Sequence, residues 1–588
     1  MSENAIEEKR TEGRTWLNRT LTPSTLRWAE IGLALVGSVL VGIAFSILAR
    51  GGPNSSDITM YMNVGMNGIK MPFILNRYFH VFLQAIFLKL ASHPLEGYHA
   101  FWGFIIGLNT FLIYVSARKA LRKSNLLHGI LAVVIFFSFA AIAETSGVIV
   151  VDFTAMTMLT AFFAAYLLSL NHSHRNPWFV GLLGTLLFLA FKTKETTLPV
   201  GVLLLGLGWV DDKNFDLRAF LWNVLWVVCG VLAGMVVFGV LSWIFLGDPF
   251  FGLRISEWQE FLSTYAVYSS RVLETLNSLG DGNLADWYQG YWFEATLLPF
   301  VLYLISGVTL PREESFGRKV LWLVPLMYAA LMIVSINNRL GYEIRFGLPV
   351  MPVLAILAPQ FIDLGWPERK AQQKRLLLFA ALGIAIAVGI RVWLRIVIPP
   401  QNLDLGSVVT LMYYPLLITL LFAVLFLFRK NLYANLATYL IVLSLMAAPV
   451  ASNLRQMFVF RENQVAFTQV TSPFSEFEGR IVSDPDMRLY ATYAVFDQYS
   501  PKIGKNIDEL VALFNVYFDA STTRENFTYV ESPADINRDI LDDSFDYALL
   551  TMNDWIGMQD DAEANAQVRD QYEMVVGEGG DFVLLEHK

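Results

Sequence analysis

The chain has one cysteine, Cys229, in 588 residues, so no disulfide can close within it and no cysteine framework or cysteine-rich zinc site is available. It is short of charge: Asp, Glu, Lys and Arg make up 16 %, against roughly 25 % in an average soluble domain. It has no internal repeat, glycine-rich phosphate loop or HExxH pair, hence no short motif that carries a mechanism of its own. What it has instead is apolar sequence. Hydrophobic residues reach 55 % and aromatics 14 %, with a mean hydropathy of +0.48. They gather in runs of about 20 residues, the length that crosses a bilayer core of roughly 30 Å. The composition implies a polytopic α-helical membrane protein and excludes a string of soluble domains.

The expected spans begin with Ile31–Ala49, too long for a signal-peptide core and read as a retained helix. Twelve more follow near 97–117, 126–143, 153–170, 178–191, 197–210, 219–246, 291–309, 320–336, 346–364, 376–398, 408–428 and 435–451, about 13 in all. Arg118, Lys119, Arg122 and Lys123, then Arg312, Arg318 and Lys319, then Arg369, Lys370, Lys374 and Arg375 fall on one side, while facing loops such as 144–152 carry no Lys or Arg. By the positive-inside rule the basic side is cytoplasmic. An odd count then leaves the N-terminus inside and the C-terminal region outside.

Charge also divides the chain. From Asn453 onward there are 25 acidic and 10 basic residues, whereas the first 452 positions are net basic. The expected organisation is a cytoplasmic segment 1–29, a transmembrane domain 30–452 and an acidic extracytoplasmic domain 453–588. Runs such as RIVSD, RLYATYAVF, FDYALLTM and DFVLLEH read as strands, and IDELVALFNVYF and AEANAQVRDQYEMV as helices, which together suggest a small α/β domain. Two outer loops are large, 50–96 and 247–290. In the first, residues 71–91 carry Asn76, Arg77, His80, Gln84 and Lys89 and read as an amphipathic helix in the outer interface. In the second, Trp258, Tyr265, Tyr268, Trp287 and Tyr288 suit either interfacial anchoring or a lid or acceptor-binding loop.

Ionisable groups at membrane depth are costly, so those at helix ends facing one compartment are candidate site residues. Asp57 lies just past the first helix; Glu144 and Asp152 bracket a short loop; Lys192, Lys194 and Glu195 fall in FKTKETTLP; Arg339, Glu343 and Arg345 precede a late helix. Each also has an ordinary role open to it. Asp57 and Asp152 are good helix caps, the lysines can snorkel to headgroups, and Arg345 can anchor a helix flank. His80 suits a satisfied interfacial histidine better than a metal ligand, since no second His or Cys stands at ligand spacing.

The order of these features resembles the GT-C class of membrane glycosyltransferases, in particular the bacterial branch of protein O-mannosyltransferases and lipid A aminoarabinose transferases. The likeness is carried by D-I-T-M-Y (Asp57 to Tyr61), by residues 82–121, by VDFTAMTMLTAFFAAYLL (151–168), by KTKETTLP (192–199) and by RFGLPVMP (345–352). The sequence departs from the class at Ile58, where a second acidic residue is usual, and at Asn76-Arg77-Tyr78, where a proline pair is common. The resemblance implies inverting transfer of a sugar from a polyprenyl-phosphate carrier to an acceptor hydroxyl of a protein, lipid or glycan. It places the reaction on the outer face of a bacterial inner membrane. It makes Asp57 and Asp152 the catalytic candidates, Lys192, Lys194 and Arg345 the donor-phosphate ligands, and Tyr61, Glu144 and Arg77 substrate-binding residues. A divalent cation (Mg²⁺, Mn²⁺ or Ca²⁺) on Asp57 and Asp152 is a further option, since carboxylate oxygens suit hard ions. A lipid-linked glycan polymerase or ligase, a transporter or flippase, and a silent assembly subunit are the competing readings.

Overall fold

A computed structural model describes residues 23–48, most of 61–142 and 151–262, parts of 299–328 and 439–455, residues 348–360, and strand and helix segments between 481 and 588. Among the described residues its helices include α1 (Pro23–Leu48), α2 (Tyr78–Leu90), α3 (Pro94–Ala120), α4 (Leu126–Phe137), α5 (Val151–Ser169), α6 (Pro177–Phe191), α7 (Leu217–Leu246), α8 (Phe316–Lys319) and α9 (Met351–Leu357). Four of them, α1, α3, α5 and α7, are long and apolar enough to cross a membrane. The expected spans at 376–398 and 408–428 lie outside the described residues.

Composition sorts these helices by depth. α5 is apolar or small on every side, and such a helix must be covered all round. Buried residues make up 89 % of its spanning window, against 17 % for α1 and 28 % for α7. The outer helices expose Leu33, Val36, Leu40, Val236, Trp243 and Ile244, bare aliphatic and aromatic surface that a bilayer accommodates and water does not. α5 is therefore the inner post of the bundle and α1 and α7 are rim helices.

Close approach of the rim helices depends on glycine. A Cβ on Gly230 of α7 would collide with the Gly181 carbonyl of α6, and one on Gly184 of α6 with the Val227 carbonyl of α7. Thr185 adds a hydrogen bond to the Gly230 carbonyl at 2.8 Å. Packing without side chains between backbones is how helices associate where lipid removes the hydrophobic drive.

Between α6 and α7 the chain winds as a 3-10 helix over Glu195–Gly208, with Pro199 inside it. The 3-10 rise stretches these 14 residues to about 28 Å, whereas an α-helix of that length would reach about 21 Å.

The described ends of the bundle differ in kind. At one, Arg118 pairs with Glu30 and donates to the Ser124 carbonyl at 2.6 Å. Arg318 donates to the last carbonyls of α3, Lys119 and Ala120, at 2.6 and 3.0 Å. At the other lie the start of α5, the end of α6, the start of α2 and the end of α7.

α2 corrects one expectation. It is 13 residues long, and Tyr78, Phe79, His80, Val81, Phe82, Gln84, Ala85 and Leu88 are buried. It packs into the body between α3 and α7, so the polar residues read as an interfacial face point partly inward.

Near the C-terminus, strands β1 (Ile481–Ser483), β2 (Phe527–Tyr529), β3 (Tyr547–Thr551), β4 (Tyr572–Val576) and β5 (Phe582–His587) form one sheet in the order β2-β1-β3-β5-β4. β1 is parallel to β2 and β3, while β5 is antiparallel to β3 and β4. The run AEANAQVRDQYEMV, read as one helix, divides: α10 (Ala562–Gln571) ends and Tyr572–Val576 is a strand. Tyr572 and the paired valines suit a pleated surface better than a helix turn, and pairing with β5 decides it. The runs RLYATYAVF and IDELVALFNVYF lie outside the described residues.

Candidate functional site

Two ion pairs meet at the end of the bundle where α2, α5, α6 and the 3-10 stretch converge. Asp152 stands in the first turn of α5, on the most deeply covered helix. Lys194 follows α6 by three residues, at the N-cap position of the 3-10 stretch. Its Nζ donates to Asp152 Oδ1, and both side chains are almost fully buried, at 5 % and 2 % exposure. The next residue, Glu195, accepts from Arg77, with Nη1 to Oε2 at 2.6 Å and Nη2 to Oε1 at 3.3 Å. Asn76 donates to the same Oε2. Adjacency of Lys194 and Glu195 joins the pairs into a line of alternating sign: Asp152, Lys194, Glu195, Arg77.

Burial would lower the affinity of Arg77 for its proton, but Glu195 beside it more than reverses this and raises it. Burial works to raise the Glu195 pKa, and Arg77 overrides it, holding the carboxylate down at about 2. For Lys194 burial wins over the Asp152 charge and the pKa falls. Behind the line, His80 Nδ1 contacts Thr154 Oγ1 at 2.7 Å and the ring lies edge-on to Tyr61. Burial, with Arg77 nearby, drops the His80 pKa to about 3. His80 is thus a neutral core histidine, not an interfacial one.

Lys192 has a separate environment. Its ammonium donates to the Gly252 carbonyl and lies 4.4 Å from the Trp258 ring centre and 4.9 Å from that of Phe238. Trp258 Nε1 donates to the same carbonyl at 3.1 Å, and its ring stacks on Phe191. Gly252 sits at φ +78, a left-handed conformation that glycine adopts without a Cβ penalty. The strap after α7 is further fastened by Asp248, which takes Lys70 at 3.1 Å and Arg254 at 2.8 Å, and by Glu257, which takes Arg254 at 3.0 Å. Burial lowers the Lys192 pKa to about 7. Both lysines are therefore turned inward, and snorkelling to headgroups is overturned for each. Trp258 meets Lys192 and Phe191, while Tyr265, Tyr268, Trp287 and Tyr288 lie outside the described residues.

Of the residues singled out in sequence, the structure joins Asp152, Lys194, Glu195 and Arg77, with Tyr61 adjoining through His80. It gives Lys192 to the strap. Asp57, Glu144, Arg339, Glu343 and Arg345 lie outside the described residues. Asn76 and Gly252 were not anticipated as site residues: Asn76 stood out only as a polar residue of the expected interface helix and as a departure from the proline pair, and an unremarkable loop glycine gives no signal of a lysine beneath it. Asp152 is paired with Lys194, and Asp57, the other carboxylate of the expected cation site, lies outside the described residues. No group of three or more His, Cys, Asp or Glu able to hold a metal occurs among the described residues.

The fold of the chain is similar to that of a solved GT-C membrane glycosyltransferase. The particular likeness is to ArnT from Cupriavidus metallidurans, a lipid A aminoarabinose transferase, in its structure bound to undecaprenyl phosphate. Identity is 14 % and the TM-score 0.50, over 94 % of this chain and 97 % of that one. The apo structure of the same enzyme matches at 13 % identity with the same TM-score and the same coverage. No protein-family model and no curated protein sequence matches the chain.

Proposed function

We propose that the protein transfers a sugar from a polyprenyl-phosphate carrier to an acceptor hydroxyl on the extracytoplasmic side of a bacterial inner membrane. The observation that carries this reading is the line Asp152–Lys194–Glu195–Arg77, assembled from three separate chain segments at one end of a GT-C fold. The likeness to a transferase bound to undecaprenyl phosphate supports the donor class.

In the reaction the acceptor oxygen attacks the anomeric carbon, and the bond from that carbon to the phosphate oxygen breaks. The electron pair leaves with the phosphate and the anomeric configuration inverts. Arg77 is the phosphate ligand we favour, because a guanidinium stays charged at any working pH and forks onto phosphate oxygens. Lys194, held in place by Asp152, adds fixed positive charge beside it, and charge placed in advance needs no reorganisation during reaction. Lys192 acts at one remove, by clamping the strap. Asp57 takes the acceptor proton as general base, a role typically contributing 10²–10⁴-fold.

The test is mass spectrometry of lipids that copurify in mild detergent, together with a transfer assay. A polyprenyl-phosphate sugar is expected in the wild type and absent from Arg77→Gln, and Asp57→Asn is expected to bind it without turnover. Ordinary phospholipids alone in all three proteins, or full turnover by Asp57→Asn, would refute the assignment.

A further inference from the structure

Building on the reading that the donor phosphate docks at Arg77, we propose that Glu195 is a built-in rival of that phosphate, which the donor must displace and which helps to expel the lipid phosphate product. The geometry points to it in three ways. First, the carboxylate meets the guanidinium two oxygens to two nitrogens, the fork-to-fork arrangement in which arginine also takes phosphate. One guanidinium edge cannot serve both anions at once.

Second, the two ion pairs of the site differ in exposure. Asp152 and Lys194 are both closed in. In the other pair Arg77 is 15 % exposed and Glu195 40 %, so the carboxylate is on the open side and can swing toward solvent while the guanidinium stays where it is. The contact from Asn76 to Oε2 gives the carboxylate a defined resting place.

Third, the charges of the line cancel: Asp152 and Glu195 balance Lys194 and Arg77. A phosphate arriving with Glu195 still in place would face a carboxylate at close range, a repulsion that moving Glu195 aside removes. After transfer the return of Glu195 to Arg77 competes with the bound polyprenyl phosphate and favours its release.

The experiment titrates the full-length protein in detergent with undecaprenyl phosphate, as wild type, Glu195→Gln and Arg77→Gln. Glu195→Gln is nearly isosteric and keeps an acceptor for Asn76. It is expected to bind about tenfold more tightly, to melt lower without the lipid, and to gain more in melting temperature when the lipid is added, as linkage requires. Arg77→Gln is expected to bind weakly. Equal or weaker binding by Glu195→Gln, with Arg77→Gln still impaired, would overturn the rivalry and make Glu195 a positioning residue for Arg77. Unchanged binding by Arg77→Gln would instead overturn the phosphate site beneath it. A structure of the wild type with undecaprenyl phosphate tests the idea without variants: Glu195 should stand more than about 4 Å from the guanidinium, beyond ion-pair contact. A retained two-point pair would refute displacement.

Discussion

At Lys194 and Asp152 two opposite charges share a site with almost no access to solvent. Such a pair is costly to break from one side, because the remaining charge is left buried and unpaired. Lys194→Met is expected to destabilise the protein by about 3–5 kcal/mol, and Asp152→Asn combined with Lys194→Met to recover part of that loss, as read from unfolding in detergent. Glu195 behaves differently because it is half open. Its pKa is depressed from about 4.5 to about 2 by Arg77, against the opposing effect of burial. A depressed acid contributes stability that is fully present above its unfolded pKa and lost as pH falls through the folded one. The stability difference between wild type and Glu195→Gln should therefore stay level from about pH 5 to 8 and shrink between about 4.5 and 2. A difference that varied through neutral pH would point to another titrating group.

Among the elements, the strap after α7 and the α6–α7 contact decide the shape of this end of the bundle. Lys192, Trp258 and Phe191 hold residues 248–262 against α6, while Phe251 meets Tyr78, the neighbour of Arg77, at 4.9 Å between ring centres. Lys192→Met keeps the apolar stem and removes the ammonium. Hydrogen exchange is expected to rise across 248–262 and to stay unchanged in α5; equal change in both would mean general loosening and no clamp. The helix contact is less forgiving. Gly230→Leu has no room at the Gly181 carbonyl and is expected to cost about 1–3 kcal/mol from overpacking. The same change at Gly37 of α1, where a Cβ meets nothing, should be nearly neutral.

For the molecule as a whole, the charged line and the arginine-rich end lie at opposite ends of the bundle, and the proposed function requires the first to face outward. In a Cys229→Ser background, a membrane-impermeant maleimide added to spheroplasts is expected to label Ile255→Cys, on the exposed side of the strap, and to spare Leu126→Cys, at the start of α4. Both positions are exposed. Labelling of the second alone would invert the orientation and remove the extracytoplasmic reading.

The membrane character of the chain was legible from composition, because about 20 apolar residues in a row have few other uses. Most described helices stand within a few residues of where hydropathy places them, for the same reason. Asp152, Lys194 and Glu195 were legible too, because charge at the end of an apolar run is costly and stands out, whereas Arg77 entered as a site residue only through the family resemblance. Which charge meets which was not. Arg77 and Glu195 are 118 positions apart and Lys192 and Gly252 are 60 apart, distances over which periodicity carries no information. Apolar runs and their charged ends are local properties, determined residue by residue through the cost of solvation. The pairing of Lys194 with Asp152, the fork of Arg77 on Glu195 and the burial of Lys192 under the strap arise only when α2, α5, α6 and α7 close on one another and exclude water.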